Sequence, residues 1–231
     1  TGLTPREYAR AVRQQRLQQH LSGAGTTTEA AYAAGYSSSS HFYADAASEL
    51  GMSASDYRQG GQQQQIRFAT GPCPLGRVLV ARSDLGVCAI LLGDDDRQLE
   101  DDLRARFPKA LCTADHGLAD QLRTVTAMIE TPHQARTLPL DIRGTAFQRR
   151  VWQALQTIPP GETRSYAQLA TALGTPTAAR AVAGACAANS LAIAVPCHRI
   201  VCGAGSLSGY RWGVERKRAL LEREAQGVKD D

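Results

Sequence analysis

The stretch Ile193-Ala194-Val195-Pro196-Cys197-His198-Arg199-Ile200 places a thiol and an imidazole side by side in an otherwise apolar run. Proline fixes its own φ and biases the preceding residue toward extended geometry, so Pro196 is expected to present Cys197 at a defined bend. A thiol is nucleophilic only as the thiolate, and a neighbouring imidazole is the usual means of lowering its pKa. The pattern therefore indicates a nucleophilic cysteine.

Three other interpretations of Cys197 stay open at this point. A lone cysteine is often a small buried hydrophobe, and it can also be half of a disulfide. The third is a zinc site formed by Cys197, His198 and Cys202. That spacing fits no standard zinc finger, and a bound zinc ion would block the nucleophile.

Length and composition are those of a globular protein of one or two domains, with 231 residues, 43% hydrophobic and 21% charged. No apolar stretch approaches the roughly 20 residues that cross a bilayer, and no signal peptide opens the chain. Six cysteines without dense pairing fit a reducing compartment. We therefore expect a cytoplasmic protein with no membrane partner. Because the chain begins at Thr1 in the middle of a pattern, we also expect upstream sequence to be missing.

Net charge is uneven along the chain. Residues 141–231 carry 12 basic and 7 acidic side chains, whereas residues 1–65 carry 5 of each and residues 66–140 carry 9 basic and 10 acidic. A basic last third suggests a polyanionic partner, although a solvated charged face is the commoner reason for such an excess.

Composition divides the chain into an N-terminal helical segment (1–59), a glycine- and glutamine-rich linker (60–65) and two further units. In the first segment, two short helices across the turn at Gly35 follow the pattern of a helix-turn-helix. Residues 66–140 contain a predicted hairpin, with strands at 76–81 and 87–92, and amphipathic helices, and are interpreted as a small α/β scaffold. Asp94, Asp95 and Asp96 are expected to begin a helix rather than to bind a metal.

Residues 141–231 are predicted to be mostly helical. Thr145 is expected to cap one helix, and Ser165 to open another through a capping box. A third helix, from Pro176 to about Ala188, is rich in alanine, with Arg180 its one long side chain. Small side chains allow a helix to approach a nucleic-acid backbone closely, and one arginine can fill the space of an extruded base. A plain helix packed on a neighbour fits the same sequence.

The hexapeptide Pro-Cys-His-Arg-Ile-Val at 196–201 resembles the active-site signature of the methylated-DNA–protein-cysteine methyltransferases, and the likeness extends from about Ile66 to Ala225. The resemblance implies irreversible, single-turnover transfer of the alkyl group of 6-O-alkylguanine in duplex DNA to Cys197, with O-4-methylthymine as a further substrate and without cofactor or metal. It also implies a multidomain α+β protein: an all-α helix-turn-helix segment, a ribonuclease-H-like α/β scaffold (66–140) and a mostly helical, winged-helix-like alkyltransferase domain (141–231).

The resemblance further assigns roles to individual residues. Cys197 accepts the alkyl group, His198 takes its proton through a water, and Glu224 orients His198. Tyr166 helps to rotate the target nucleotide and can donate a proton to the departing oxygen, while Asn189 ties the turn before the active-site strand. The remaining implied contacts are Ile200, Tyr210 and Arg211 with the substrate, and Ala179, Arg180, Tyr166 and Arg199 with DNA.

Residues 34–43 and 50–53 resemble the second helix-turn-helix of AraC-type regulators, in which Ser38, Ser39, Ser40 and His41 face the major groove. A plain helical hairpin fits this pattern too. Ada-type members of the methyltransferase family carry such a region, which implies promoter DNA as a second partner and transcriptional regulation of the response to alkylation. The resemblance favours a monomer associated with the bacterial nucleoid. The alternative is a DNA-binding regulator or lesion sensor without transfer chemistry.

Overall fold

The computed structural model describes residues 27–33, 36, 65–203, 206–207 and 209–227. Helix α1 comprises Thr27–Ala33, and the Tyr36 amide donates to the Ala31 carbonyl at 3.1 Å. Most of the predicted helix-turn-helix, including Ser38, Ser39, Ser40 and His41, lies outside the described residues, as do residues 60–64 of the linker.

A four-stranded sheet forms the first layer, in the order β3-β2-β1-β4. The predicted hairpin is confirmed as the antiparallel pair β2 and β3. Strand β1 pairs antiparallel with β2 and parallel with β4, and neither β1 nor β4 was predicted. The strands are β1 (Gln65–Cys73), β2 (Gly76–Arg82), β3 (Val87–Gly93) and β4 (Leu111–Ala114).

Helices α2 (Asp96–Arg106) and α3 (Ala119–Glu130) follow the hairpin and β4, with a short 3₁₀ turn at His116–Leu118. Helix α2 begins where the three aspartates predict, because the Asp95 side chain accepts from the Gln98 amide at 2.9 Å. The two helices bury Leu99, Leu103, Val125 and Ile129, which join the sheet residues in one hydrophobic core.

The second layer is mostly helical. Both predicted capping residues, Thr145 and Ser165, accept from the backbone amide three residues later. The alanine-rich helix begins at Ala179 and not at Pro176, because the Ala178 amide closes a turn on the Thr175 carbonyl at 2.8 Å. The elements are α4 (Ala146–Gln156), β5 (Arg164–Ser165), α5 (Tyr166–Ala172), α6 (Ala179–Ala187), a 3₁₀ turn (Cys197–Arg199), β6 (Ile200–Val201) and α7 (Val214–Gly227).

Backbone hydrogen bonds at the outer edge of β3 connect the sheet layer to the helical layer. The Ile90 amide donates to the Ser190 carbonyl at 2.8 Å, and the Ala192 amide donates back to the Ile90 carbonyl at 3.1 Å. Earlier along the same strand, Val87 exchanges two backbone hydrogen bonds with the segment 139–141. The segment that leads to Cys197 is therefore fixed to the sheet. Among the described residues, no helix is both long and apolar enough to span a bilayer.

Candidate active site

Cys197 begins the 3₁₀ turn directly after Pro196, and is only 5% exposed. The predicted active-site strand is not present at this point, because the chain turns at Pro196 and becomes extended again only at Ile200. The Asn189 amide group donates to Cys197 Sγ at 3.2 Å and to the Val195 carbonyl at 2.9 Å.

The loop before Cys197 contains a strained residue. Ile193 has φ of 68°, a conformation that β-branched side chains rarely adopt. Such strain persists only where the surroundings fix the backbone. Here Asn189 Oδ1 accepts from the Leu191 amide at 2.9 Å, and β3 holds Ala192. The position of the thiol is therefore determined by Asn189 and the sheet edge together.

His198 and Glu224 form a buried pair, with His198 Nε2 2.9 Å from Glu224 Oε1 and the two side chains 1% and 2% exposed. Burial lowers the pKa of His198, and the opposing influence of Glu224 does not restore it. The ring is therefore neutral near pH 7, and donates its Nε2 proton to the carboxylate. Nδ1 then carries the lone pair. That atom is buried and has no hydrogen-bond partner among the described residues, so it is available as a base.

Glu224 also receives the guanidinium of Arg199, at 2.8 Å and 3.1 Å on Oε1 and 3.2 Å on Oε2. Burial on its own would raise the pKa of Glu224, but His198 and Arg199 bring it down to about 2. Arg199 also donates to the Ile158 carbonyl at 2.5 Å. The contact of Arg199 with DNA stays a prediction, and in this structure its guanidinium is engaged with Glu224 and Ile158 inside the protein.

Lys217 is a site residue that the sequence analysis missed. It is 1% exposed, and its ammonium donates to the Ile200 carbonyl at 2.5 Å. Burial raises the pKa of the Cys197 thiol, whereas the Asn189 hydrogen bond and the Lys217 charge lower it. The sequence did contain one sign that Lys217 faces the site. Lys217, Leu220 and Glu224 are spaced at i, i+3 and i+7, which places them on one face of α7. The Ile200 carbonyl keeps a second lone pair for the expected substrate contact.

We expect the substitution Lys217→Met to slow alkyl transfer about tenfold near neutral pH, because removing the charge raises the pKa of the Cys197 thiol and leaves less thiolate. Stability should change little, since the lost hydrogen bond to Ile200 is offset by relief of a buried charge. The measurement is the rate of transfer against pH, which should shift to higher pH. Arg218→Met, on the exposed side of the same helix, is the matched control. An unshifted profile for Lys217→Met would refute the electrostatic role.

A cavity of about 310 Å³ adjoins the thiol. It brings together the predicted residues Cys197, Tyr166, Tyr210 and Arg211. Helix α6 contributes its small side chains to the same wall, so part of the alanine-rich pattern makes room inside the protein. The Arg211 guanidinium donates to the Ala187 carbonyl at 3.1 Å. The lining residues are Tyr166, Ala183, Cys186, Ala187, Cys197, Gly209, Tyr210 and Arg211.

The other predicted residues lie around this cavity as follows. Ala179 and Arg180 occupy the first turn of α6, with Arg180 exposed. Tyr210 packs edge-on to His198, with ring centroids 6.4 Å apart. Cys186, a second thiol in the cavity, was not predicted as a site residue. Burial raises its pKa to about 12, so it remains protonated.

The alternatives for Cys197 can now be compared with the structure. All six cysteines are free thiols. Within the described part of the chain, no three histidine, cysteine or acidic side chains are grouped to hold a metal ion. Burial of Cys197 fits a simple core residue, but that interpretation does not account for the His198–Glu224 pair beside it.

Two protein-family models match the chain. The model described as 6-O-methylguanine DNA methyltransferase, DNA binding domain, matches residues 146–226. A model described as a helix-turn-helix domain matches residues 1–60.

The relatives agree with these matches. The chain is 52% identical over 227 residues to the bifunctional transcriptional activator/DNA repair enzyme Ada of Escherichia coli, with 98% of this chain and 64% of that protein covered. It is 56% identical over 159 residues to a methylated-DNA–protein-cysteine methyltransferase of Mycolicibacterium paratuberculosis, covering 69% of this chain and 92% of the relative. The chain thus spans about two thirds of the length of the Ada relative and nearly all of the shorter one.

A solved structure with a similar fold is that of Mycobacterium tuberculosis OGT in complex with DNA. It superposes with a TM-score of 0.59 at 37% sequence identity, and covers 69% of this chain and 93% of that one.

Proposed function

Since the chain belongs to the methylated-DNA–protein-cysteine methyltransferase family, we propose that it repairs DNA by moving the alkyl group of 6-O-alkylguanine irreversibly to Cys197. The observation that carries the proposal is the thiol at the cavity, held by Asn189 and followed by the buried His198–Glu224 pair with an unpartnered Nδ1. A protein that only binds alkylated DNA requires neither a thiol in the cavity nor a proton acceptor such as His198 Nδ1 next to it.

The reaction balances within these groups. Nδ1 of His198 takes the Cys197 proton, directly or through one water, and Glu224 stabilises the imidazolium that forms. The sulfur attacks the alkyl carbon, the S–C bond forms and the C–O bond to guanine breaks with its electron pair on oxygen. Tyr166, at the cavity wall, donates a proton to the departing guanine, and the proton on His198 replaces it through solvent. The thioether has no easy leaving path, so each molecule acts once.

The alkylated guanine must leave the DNA double helix for this chemistry, because a buried thiol cannot reach the alkyl group on its exocyclic oxygen while the nucleobase is stacked. We propose that α6 enters the minor groove, with Ala179 allowing close approach and the exposed Arg180 filling the gap left by the flipped nucleotide. Ile200, Tyr210 and Arg211 then hold the flipped nucleobase in the cavity. O-4-methylthymine, which also carries a methyl group on an exocyclic oxygen, is the proposed second substrate.

The test is the intact mass of the protein after mixing with a duplex that contains one 6-O-methylguanine. We expect a gain of one methylene, about 14 Da, located on Cys197 and limited to one equivalent per protein. Cys197→Ala should bind the same duplex and gain no mass. Tight binding of the unsubstituted protein without a mass gain would favour the alternative, a lesion sensor or regulator without chemistry.

We also propose the wider organisation that the sequence suggests: a helix-turn-helix segment (1–59), a linker (60–65), a ribonuclease-H-like scaffold (66–140) and a winged-helix-like transferase domain (141–231). The match of residues 1–60 to a helix-turn-helix model supports a second function in transcription, with Ser38, Ser39, Ser40 and His41 reading promoter DNA. A monomer acting on DNA in the cytoplasm, at the bacterial nucleoid, fits both functions.

A further inference from the structure

Arg216, in the first turn of α7, connects the loop beside the thiol to the sheet layer. Its guanidinium donates from Nε to the Leu75 carbonyl and from Nη1 to the Trp212 carbonyl, both at 2.9 Å. Its Nη2 donates to Asp94 Oδ1 at 2.5 Å, and the side chain is 18% exposed. Each nitrogen of the guanidinium therefore has its own acceptor, and the three acceptors come from three separate segments of the chain.

The sheet layer provides two of these acceptors. Leu75 lies in the turn between β1 and β2, and Asp94 directly follows β3. The two segments approach closely at Gly76, which has φ of 107°, and a Cβ built there would lie 2.7 Å from the Gly93 carbonyl oxygen. Only glycine combines this φ with so close a contact. The Leu75 carbonyl is therefore a fixed point, against which Arg216 can hold another segment.

The third acceptor belongs to residues 209–213, which we call the pocket loop. Part of this loop forms a tight turn, since the Gly213 amide donates to the Tyr210 carbonyl at 3.0 Å. Because the turn is closed, fixing the Trp212 carbonyl restrains the neighbouring residues as well. Three residues of the loop line the cavity beside the thiol, namely Gly209, Tyr210 and Arg211.

Ring packing continues the connection from Arg216 to the candidate site. Trp212 is 5% exposed, and its ring packs edge-on to Tyr210 with centroids 5.1 Å apart. Tyr210 in turn packs edge-on to His198, at 6.4 Å. Aromatic pairs at these separations stabilise a defined relative orientation. A displacement of the Trp212 backbone would therefore move the wall of the cavity that Tyr210 forms.

We propose that Arg216 is a positioning residue, which holds the pocket loop at the distance from Cys197 that the flipped nucleobase requires. The inference rests on the proposed function and deepens it, because it makes the sheet layer responsible for one wall of the base-binding cavity. A guanidinium suits this role, since its planar fork presents several donors in fixed directions. Arg216 takes no part in the transfer step itself.

The first experiment measures single-turnover methyl transfer by Arg216→Met against the concentration of a 6-O-methylguanine duplex. We expect the maximal rate to fall about 10- to 100-fold, because small misplacements near reacting groups are that costly. The duplex concentration that gives half the maximal rate should change by less than about twofold, since the proposed contacts of α6 with DNA are kept. Arg216→Lys should recover part of the rate, because lysine can still donate to one of the acceptors.

The dependence of the rate on pH separates Arg216 from its neighbour Lys217. The rate of Arg216→Met should fall by the same factor at every pH, because Asn189 and Lys217, which lower the pKa of the Cys197 thiol, are both retained. A shift of the rate profile to higher pH would show that Arg216 acts on the thiol electrostatically, and would overturn the positioning role.

Two matched controls are Arg218→Met and Asp94→Asn. Arg218 is exposed on the same helix and pairs with Glu215, and Asp94 is 84% exposed. Exposed ion pairs contribute little, so both variants should transfer at the normal rate. A purely structural role for Arg216 would lower the melting temperature of Arg216→Met and leave its maximal rate well below that temperature unchanged. That outcome would also overturn the proposal.

A second experiment follows the pocket loop without DNA. The chain contains two tryptophans, so Trp152→Phe leaves Trp212 as the single one. Adding Arg216→Met to that variant should increase the quenching of Trp212 fluorescence by acrylamide, because the loop is released from the sheet. Unchanged quenching would overturn the proposal even if transfer were slower. If the unsubstituted protein transferred no methyl group, the proposed function would be wrong, whereas quenching would still decide whether Arg216 holds the loop.

Discussion

The substitution Glu224→Gln is expected to slow alkyl transfer by about 10²- to 10⁴-fold, the range by which general acid–base groups and their orienting partners contribute. Glu224 Oε1 accepts the Nε2 proton of His198 at 2.9 Å, which leaves Nδ1 as the base. Glutamine can instead donate to Nε2, which would place the ring proton on Nδ1 and disable it. The amide also fails to stabilise the imidazolium. Single-turnover rates on a 6-O-methylguanine duplex measure the effect.

Stability should fall with the same substitution, in a manner that depends on pH. The pKa of Glu224 is about 2 in the folded protein, against an ordinary value of 4.5. A lowered folded-state pKa contributes stability above the unfolded value, and that contribution is lost as pH falls from about 4.5 to about 2. We therefore expect Glu224→Gln to unfold more easily by about 3 kcal/mol at pH 7. The difference from the unsubstituted protein should shrink progressively in acid.

Glu222 provides the matched control, because it is exposed on the same helix two residues earlier. Glu222→Gln should transfer at the normal rate, and its stability should follow the pH dependence of the unsubstituted protein. If Glu224→Gln transferred within threefold of the normal rate, the His198–Glu224 pair would have a structural role only.

Asn189→Ala is expected to cost about 2–4 kcal/mol of unfolding free energy, since it leaves the buried Leu191 amide and Val195 carbonyl without the side chain that joins them. It should also slow transfer roughly 10- to 100-fold, because the thiol loses a hydrogen bond that lowers its pKa. Chemical denaturation and single-turnover rates measure the two effects. The strained φ of Ile193 should relax once the loop is released.

The variant Asn189→Asp separates the two roles of this side chain. Aspartate keeps an acceptor for the Leu191 amide but puts a negative charge next to the sulfur, which raises the thiol pKa further. We expect it to be more stable than Asn189→Ala and yet slower, with the rate recovering at high pH. Equal rates for the two variants at every pH would show that Asn189 acts through the loop alone.

Local signals in the sequence predicted the helices well. Thr145 and Ser165 each precede a glutamine at the third helical position, and both capping boxes form because the interactions lie within one turn. Strands β1 and β4 were missed for the opposite reason. Strand β4 is four residues long and mostly exposed, and its place beside β1 depends on a parallel pairing between segments distant in the chain.

In the candidate site too, features set by neighbouring residues could be predicted, whereas contacts between distant parts of the chain could not. The motif around Cys197 and His198 is contiguous, so it was visible in the sequence. The resemblance implied that Arg199 contacts DNA, and its pairing with Glu224 could not be predicted because the two residues are 25 positions apart in the chain. Lys217 was hidden in the basic run 216–218, where exposed charges are the rule. Its burial is decided by the tertiary fold.

The backbone hydrogen bonds at the edge of β3 have a mechanical consequence. The chain meets this strand at 139–141, forms α4, β5, α5 and α6, and returns to the same strand at 190–192. The helices proposed to touch DNA are therefore a single excursion between two anchor points about three residues apart on one rigid strand. The return point is hydrogen-bonded to this strand, so the sulfur that follows it keeps its place relative to the sheet. In the proposed reaction, the sheet would be the fixed frame against which the flipped base is aligned.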